Sequence, residues 1–197
     1  MGIGSAELHE ACDRSDSLAV KAVQIERLTG HSHLAPVLAA WHHAEWGHLY
    51  ASEVWDLATA EREFATMAEP GSIDQTWVAF DGVSREASAV LGSVSLVATD
   101  DLEGHEHLTP WLASMFVVPS ARGIGVAGAL IDALLHGASA AGHSVVHLFT
   151  SGQESFWADR GWRAIATVHA EGHPSTVMAR RVAGPVEDGV DPTTDRP

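Results

Sequence analysis

A turn with two closely spaced glycines, between an apolar run and an alanine-rich segment, limits the possible folds of this chain more than any other feature. It reads Pro-Ser-Ala-Arg-Gly-Ile-Gly-Val-Ala-Gly-Ala-Leu from Pro119 to Leu130. The run before it, Trp111–Val118, has the pattern of a strand, and the segment after it, Val126–Ala141, has that of a helix. Backbone N–H groups converge at such a turn because glycine has no Cβ, and the helix dipole favours an anion there. The segment predicts a diphosphate cradle with Arg122 at its lip.

The same glycines also match the dinucleotide pattern G-x-G-x-x-G, from Gly123 to Gly128. A dinucleotide-binding fold needs an acidic residue about 20 positions further on, at the end of the next strand. The corresponding stretch, Val145–Thr150, contains no carboxylate. In addition, Pro119–Arg122 separates the glycines from their strand, whereas the dinucleotide turn follows its strand directly. The pattern therefore does not indicate a dinucleotide site.

Two motifs together resemble one family. The order Val-x-Pro-x-x-Arg-Gly-x-Gly-x-Ala, from Val117 to Ala127, resembles the coenzyme-A loop of the GCN5-related N-acetyltransferases (GNAT). Ser155–Trp162 resembles the late helix and turn of that family, usually written Phe-Tyr, three residues, then Gly-Phe or Gly-Trp. The resemblance covers roughly Leu28 to Val182. It implies an α/β fold with a mixed sheet of six or seven mainly antiparallel strands, flanked by about four helices and splayed between the fourth and fifth strands.

The resemblance also implies a cofactor and the residues that bind it. Acetyl-coenzyme A (acetyl-CoA) would be the co-substrate, and no metal is expected. The residues expected to hold its pyrophosphate are Arg122, Gly123, Ile124, Gly125, Val126 and Ala127. Its pantetheine amides would pair with the backbone of Met115, Phe116 and Val117, whose N–H groups could polarise the thioester carbonyl. Trp157 stands where many members carry a tyrosine, and we expect it to pack against the pantetheine arm.

Acetyl transfer to an alkylamine needs a base, because such an amine has a pKa of about 10.4. Glu45 is the candidate base or ammonium ligand, and Trp46 a candidate cation–π wall, although a solvated helix end is the alternative interpretation of this region. Tyr50 and His173 are further candidates for the acceptor side, and Ser114 could relay a proton or serve a strand bulge. Further carboxylates lie in an acidic loop, at Asp100, Asp101, Glu103 and Glu106.

No side chain is carried over from the family as the acid that protonates the leaving thiolate. An indole N–H cannot serve as a general acid, which leaves Trp157 without that role. The thiolate would instead leave with a proton from water. A covalent acyl-cysteine is not expected either, because the only cysteine, Cys12, is distant from both motifs.

Composition and net charge limit the classes of partner that the protein is expected to bind. The formal net charge is −15 with one lysine, Lys21, which argues against nucleic-acid binding. This charge would attract a cationic substrate, and adaptation for solubility or to a salty cytoplasm is the alternative interpretation. Three pairs among the thirteen histidines, His31/His33, His42/His43 and His105/His107, occur in loops of different segments without the pattern of a metal site, so no metal ligand is assigned. No secretion signal or membrane-length apolar run is visible, which predicts a cytoplasmic protein without a membrane partner. A homodimer is compatible with the sequence.

A length of 197 residues predicts one folded domain, over residues 19–183, after a mobile lead-in at 1–18 and before a disordered tail at 184–197. Hydrophobic periodicity predicts seven strands and four helices. The strands are Val20–Leu28, Gln75–Phe80, Ala87–Thr99, Trp111–Val118, Ser144–Phe149, Arg163–Ala170 and Thr176–Val182. The helices run from His33 to near Gly47, Ser52–Met67, Val126–Ala141 and Gln153–Asp159.

These expectations converge on one function. The chain is predicted to be an acetyl-CoA-dependent N-acetyltransferase that works by direct attack of a primary amine. The acceptor could be a small polyamine, an aminoglycoside-like cation or a peptide N-terminus. The alternative is a non-catalytic acyl-CoA sensor, which the tryptophan at position 157 motivates.

Overall fold

Seven strands form a single sheet within the part of the chain that the computed structural model describes, residues 23–51, 54–100, 102–170 and 172–182. In chain order they are β1 Val23–Arg27, β2 Gln75–Asp81, β3 Val90–Val97, β4 Trp111–Val117, β5 Val145–Thr150, β6 Arg163–Ala170 and β7 His173–Arg181. The order across the sheet is β1-β2-β3-β4-β5-β7-β6, and every neighbouring pair is antiparallel except β4 and β5. The predicted lead-in and tail lie outside the described residues.

Helices cover both faces of the sheet. They are α1 Ala35–Trp46, α2 Leu57–Met67, α3 Val126–Ala140 and α4 Glu154–Ala158. Strand β2 shows how the faces divide, because its side chains alternate between them. Trp77 belongs to the core that α3 closes, whereas Val78 and Phe80 belong to the core under α1 and α2. The predicted mixed sheet with helices on both faces is therefore confirmed. No helix in the described ranges is long and apolar enough to cross a membrane.

The start of α2 differs from the prediction. Its first residue is Leu57, whereas the sequence pattern placed the start at Ser52, which lies outside the described residues. Asp56 has extended backbone angles, and its side chain accepts a hydrogen bond of 2.7 Å from the N–H of Thr59. A carboxylate that satisfies an N–H of the first turn is a strong helix start, so the cap at Asp56 overrides the apolar pattern at Val54 and Trp55.

Other boundaries shift by a few residues. Ala87–Ala89 forms a 3-10 turn before β3, although the sequence pattern joined it to that strand. β7 begins at His173, so the predicted turn through Pro174 is shorter than expected. Leu28 starts a 3-10 turn rather than ending β1. None of these shifts changes the order of the elements.

Strands β4 and β5 separate almost as soon as they meet. Within the described residues their parallel pairing has one register pair, Trp111 with His147. The N–H of His147 also donates to the carbonyl of Pro110 at 2.9 Å. From that point towards Val117 the two strands diverge, which confirms the predicted split between the fourth and fifth strands.

A β-bulge lies on β4 beside the split. Ser95 pairs with Ala113 and Ser93 pairs with Phe116, so two residues of β4 face one residue of β3. The extra residue is accommodated by Ser114, which has a φ of 52° and is exposed. The bulge therefore lies in the part of β4 that lines the cavity described below.

Candidate active site

A cavity of about 630 Å³ opens where β4 and β5 diverge. Its lining comes from the end of α1, the α1–α2 connection, one side of α2, the bulged part of β4, the end of β5, α4 and the start of β7. The residues are His42, Trp46, Leu49, Tyr50, Val54, Trp55, Glu63, Phe64, Met67, Asp100, Leu112, Ala113, Ser114, Met115, Leu148, Phe149, Thr150, Ser151, Gln153, Trp157, Ala170, His173 and Ser175.

The glycine turn, Arg122–Ala127, follows the other end of β4. Gly123 and Gly125 have φ angles of 79° and 92°, which side chains with a Cβ rarely adopt. Gly125 is the N-cap of α3, and no side chain caps that end of the helix. The first intrahelical bond runs from the N–H of Ala129 to the carbonyl of Gly125 at 3.1 Å. The N–H groups from Gly123 to Gly128 are therefore available to an anion.

The space in front of the turn is open. A Cβ built on Gly123 or Gly125 would meet no atom within 4 Å outside its chain neighbours. Arg122 is exposed, and its Nε–H donates to the carbonyl of Val117 at 3.0 Å, which ties the turn to the end of β4. The turn thus offers main-chain donors, an arginine and free volume, which fit a pyrophosphate.

Trp157 lies between the cavity and the core. Its side chain is 8% exposed, and its ring makes edge contacts with Phe156 at 5.0 Å and Trp162 at 5.5 Å between centroids. It lines the cavity as well. The residue is held rigidly by packing, and an indole in this setting supplies an apolar surface rather than a titratable proton.

The cavity brings together most of the residues predicted for the acceptor side. Trp46, Tyr50, Ser114 and His173 all line it, together with Met115 from the predicted pantetheine strand. Glu45 is different, because it is exposed and does not belong to the lining. Its role as a base stays a prediction.

The acidic loop contributes one lining residue. Asp100 borders the cavity, whereas Glu103 and Glu106 are exposed and do not belong to its lining, and Asp101 lies outside the described residues. Sequence reasoning treated the four as equivalent, but the loop turns away from the cavity after Asp100.

His42 is a site residue that sequence reasoning missed. It is 1% exposed, and its ring lies 4.9 Å from those of Trp46 and Phe64. Nε2 is 3.0 Å from the hydroxyl of Ser93, while Nδ1 is buried without a hydrogen-bond partner among the described residues. Burial lowers its pKa to about 3, so the imidazole is neutral at physiological pH. In the sequence, the feature that could have placed His42 on the buried face of α1 is its spacing of four residues from Leu38.

Trp55 and Glu63 were also missed as site residues. The indole N–H of Trp55 donates to a carboxylate oxygen of Glu63 at 2.9 Å, and the ring lies 5.3 Å from that of Tyr50. The apolar pattern placed Trp55 on the inner side of a helix, but it precedes α2 and borders the cavity. No group of three or more histidine, cysteine or acidic residues that could hold a metal occurs in the described segments.

Comparison with known proteins agrees with this geometry. The chain matches the model of the acetyltransferase (GNAT) family over residues 36–160. No curated protein matches it in sequence. A GNAT-family acetyltransferase structure from Desulfovibrio desulfuricans superposes with a TM-score of 0.58 at 19% identity, covering 82% of this chain and 100% of the other.

Two further similar structures contain coenzyme A. An aminoglycoside 6'-N-acetyltransferase complexed with coenzyme A gives a TM-score of 0.61 at 13% identity, covering 81% of this chain and 97% of that one. An N-acetylglutamate synthase from Neisseria gonorrhoeae, complexed with coenzyme A and N-acetyl-glutamate, gives 0.55 at 16% identity, covering 82% and 35%. At these identities the structural likeness establishes the fold, and the family match extends over more than half of the sequence. The chain belongs to the GNAT family of acetyltransferases.

Proposed function

We propose that the protein is an N-acetyltransferase that transfers the acetyl group of acetyl-CoA to a primary amine by direct attack. One observation carries the proposal. Strand β4 lines the cavity where it diverges from β5, and its C-terminal end leads into the glycine turn. A ligand that extends along β4 would reach both places.

The residues present fit the cofactor. The pyrophosphate would lie on the main-chain N–H groups of the glycine turn, with Arg122 beside it. The pantetheine arm would pair with the backbone of Met115–Val117, because β5 has diverged from β4 there. Trp157 would cover the arm from the α4 side. When bound, acetyl-CoA supplies an activated thioester.

The protein itself would position the two reactants and polarise the thioester carbonyl. Main-chain N–H groups near Phe116 and Val117 would polarise the thioester carbonyl. The cavity would hold the amine in line with it, which removes much of the entropic cost of a bimolecular reaction. Ser114, exposed at the bulge and within the lining, would relay a proton through water.

Proton removal from the amine falls to a carboxylate or to water. His42 does not take this proton at neutral pH, because burial holds its pKa at about 3. Glu63 and Asp100 belong to the lining and are near enough to the acceptor volume to attract an ammonium. Glu45 stays the predicted base, acting from the exposed side of α1 through water.

Thiol release tests the proposal. Purified protein is incubated with acetyl-CoA and a panel of primary amines, free thiol is measured, and the acetylated product is identified by mass. Thiol release above the amine-free background, with an acetylated amine, supports the proposal. Binding of acetyl-CoA by calorimetry without release for any amine supports the rival acyl-CoA sensor. A chain that binds no acetyl-CoA contradicts both functions.

A further inference from the structure

The residues that line the cavity favour one chemical class of amine as the acetyl acceptor. We propose that the acceptor is a small amine with a single positive charge on an apolar, preferably aromatic, body and without a carboxylate. This inference rests on the proposed acetyltransferase function and selects among amines for it.

The first argument is the aromatic wall, defined as Trp46, Tyr50 and Trp55. Tyr50 and Trp55 contact each other at 5.3 Å, and Trp46 stands edge-on to Phe116 of β4 at 6.4 Å between ring centroids. Tyr50 remains 41% exposed, beside exposed Val54. Apolar surface gathered around a concave site is typical of one that buries an apolar ligand.

The second argument is the sign of the charges. Within the described residues the lining contains the carboxylates of Glu63 and Asp100 and no lysine or arginine. The internal positions outside the description are Ser52, Glu53, Asp101 and Glu171, none of which is basic. A carboxylate on the acceptor would lose its hydration here without gaining a cationic partner, which is costly. An acceptor with a free carboxyl group is therefore disfavoured.

The third argument is the number of charges. The carboxylate of Glu63 is already bonded to the indole N–H of Trp55 at 2.9 Å, which fixes it against the aromatic wall. That arrangement offers one ammonium a carboxylate in a cavity that the indoles of Trp46 and Trp55 also line. Ammonium groups of a polyamine or an aminoglycoside beyond those that Glu63 and Asp100 can pair would lie against uncharged side chains of the described lining, where an unpaired charge is unfavourable. One charge fits better than several.

Two matched substrate pairs test the class. The compounds para-(aminoethyl)benzamide and para-(aminoethyl)benzoate differ in a distal charge while their amines have similar basicity. Hexylamine and hexamethylenediamine differ in the number of ammonium groups. We expect kcat/KM from thiol release to favour the benzamide and hexylamine, each by about tenfold or more. Phenethylamine should be a substrate as well.

The outcomes separate this inference from the proposed function. A benzoate turned over as well as the benzamide, or a diamine or spermidine turned over better than hexylamine, overturns the acceptor class and leaves the acetyltransferase function standing. Absence of thiol release with every amine overturns the proposed function, and this inference falls with it.

A pair of tryptophan variants tests the wall itself. Trp46→Leu should lower kcat/KM for phenethylamine by about tenfold and leave the affinity for acetyl-CoA unchanged. Trp41→Leu is the matched control, because Trp41 lies on the same helix and also contacts Phe116, at 5.6 Å, but does not line the cavity. An equal loss in both variants would show that the wall does not contact the acceptor, which would overturn the inference.

Discussion

The glycine turn, which follows the C-terminal end of β4, and the aromatic wall, which lines the cavity, are built in different ways. The turn relies on backbone conformation, with Gly123 and Gly125 in the left-handed region and uncapped N–H groups on α3. The wall relies on side chains from the end of α1 and from the α1–α2 connection. A main-chain site tolerates little change of residue type, whereas a side-chain site can be altered one residue at a time. This difference predicts how the two respond to substitution.

The largest effect is expected at the turn. Gly125→Glu places a carboxylate where a pyrophosphate would lie and should weaken acetyl-CoA binding by at least about 100-fold. Gly142→Glu is the control, since Gly142 follows the opposite end of α3 with a φ of 87° and equally open space around its Cβ. Both variants carry similar backbone strain, so calorimetry should show lost affinity in the first alone. Equal affinities would remove the turn from the binding site.

His42, which lines the cavity, should make the free energy of unfolding depend on pH. Its pKa is about 3 in the fold and has an ordinary value of 6.5, so the unfolded chain binds more protons between those pH values. The free energy of unfolding must then fall as the pH drops through that window, by about 1.4 kcal/mol per pH unit, or roughly 2 kcal/mol at pH 5.

The His42→Phe variant removes that titration. Urea unfolding at several pH values should show a shallower acid loss for His42→Phe than for the wild type. Ser93→Ala removes the hydrogen-bond partner at 3.0 Å but keeps the imidazole, so it should keep the wild-type slope. Identical slopes for the wild type and His42→Phe would show that the imidazole is not buried in the neutral form.

A smaller effect is expected where β3 supports β4. A Cβ on Gly92 would lie against the carbonyl oxygen of Phe116 and 3.1 Å from Cα of Val117, so Gly92→Ala must shift the strand. We expect a loss of roughly 1–2 kcal/mol in the free energy of unfolding. Gly128→Ala, in the first turn of α3 with no atom within 4 Å of the new Cβ, should leave stability equal or slightly higher. Denaturant melts compare the two, and an undisturbed Gly92→Ala would indicate looser packing of β4.

The smallest effect is expected at Trp157. Because its ring is fixed by Phe156 and Trp162, Trp157→Tyr should change kcat by less than about threefold, equivalent to under about 0.7 kcal/mol. Trp157→Phe is the control for ring size without a hydroxyl. A large gain in the tyrosine variant alone would show that this position can still protonate the thiolate, and would make this part of the cleft catalytic.

The sequence predicted the turn better than the wall for a physical reason. Left-handed glycines and a helix N-terminus are local properties, so the pattern from Val117 to Ala127 specifies them wherever the chain goes. The sheet of seven mainly antiparallel strands and the split between β4 and β5 followed from the family resemblance and are confirmed.

The acceptor side depends on contacts between distant segments, which sequence spacing does not record. Trp55 meets Glu63 only because Asp56 starts α2 between them. His42 meets Ser93 across 51 positions of the chain. Glu45 and Trp46 are adjacent in sequence, yet Trp46 lines the cavity and Glu45 does not, because successive helical residues face different directions.

The contact between Trp111 and His147 has a mechanical consequence. In terms of backbone hydrogen bonds, β1–β4 and β5–β7 are two blocks joined at one end. A ligand that paired with the backbone of both strands would supply hydrogen bonds between the blocks and would couple the opening of one block to that of the other. Ligand binding should therefore slow amide hydrogen exchange in both blocks at once. The cooperativity of unfolding should increase with the fraction of protein that has ligand bound.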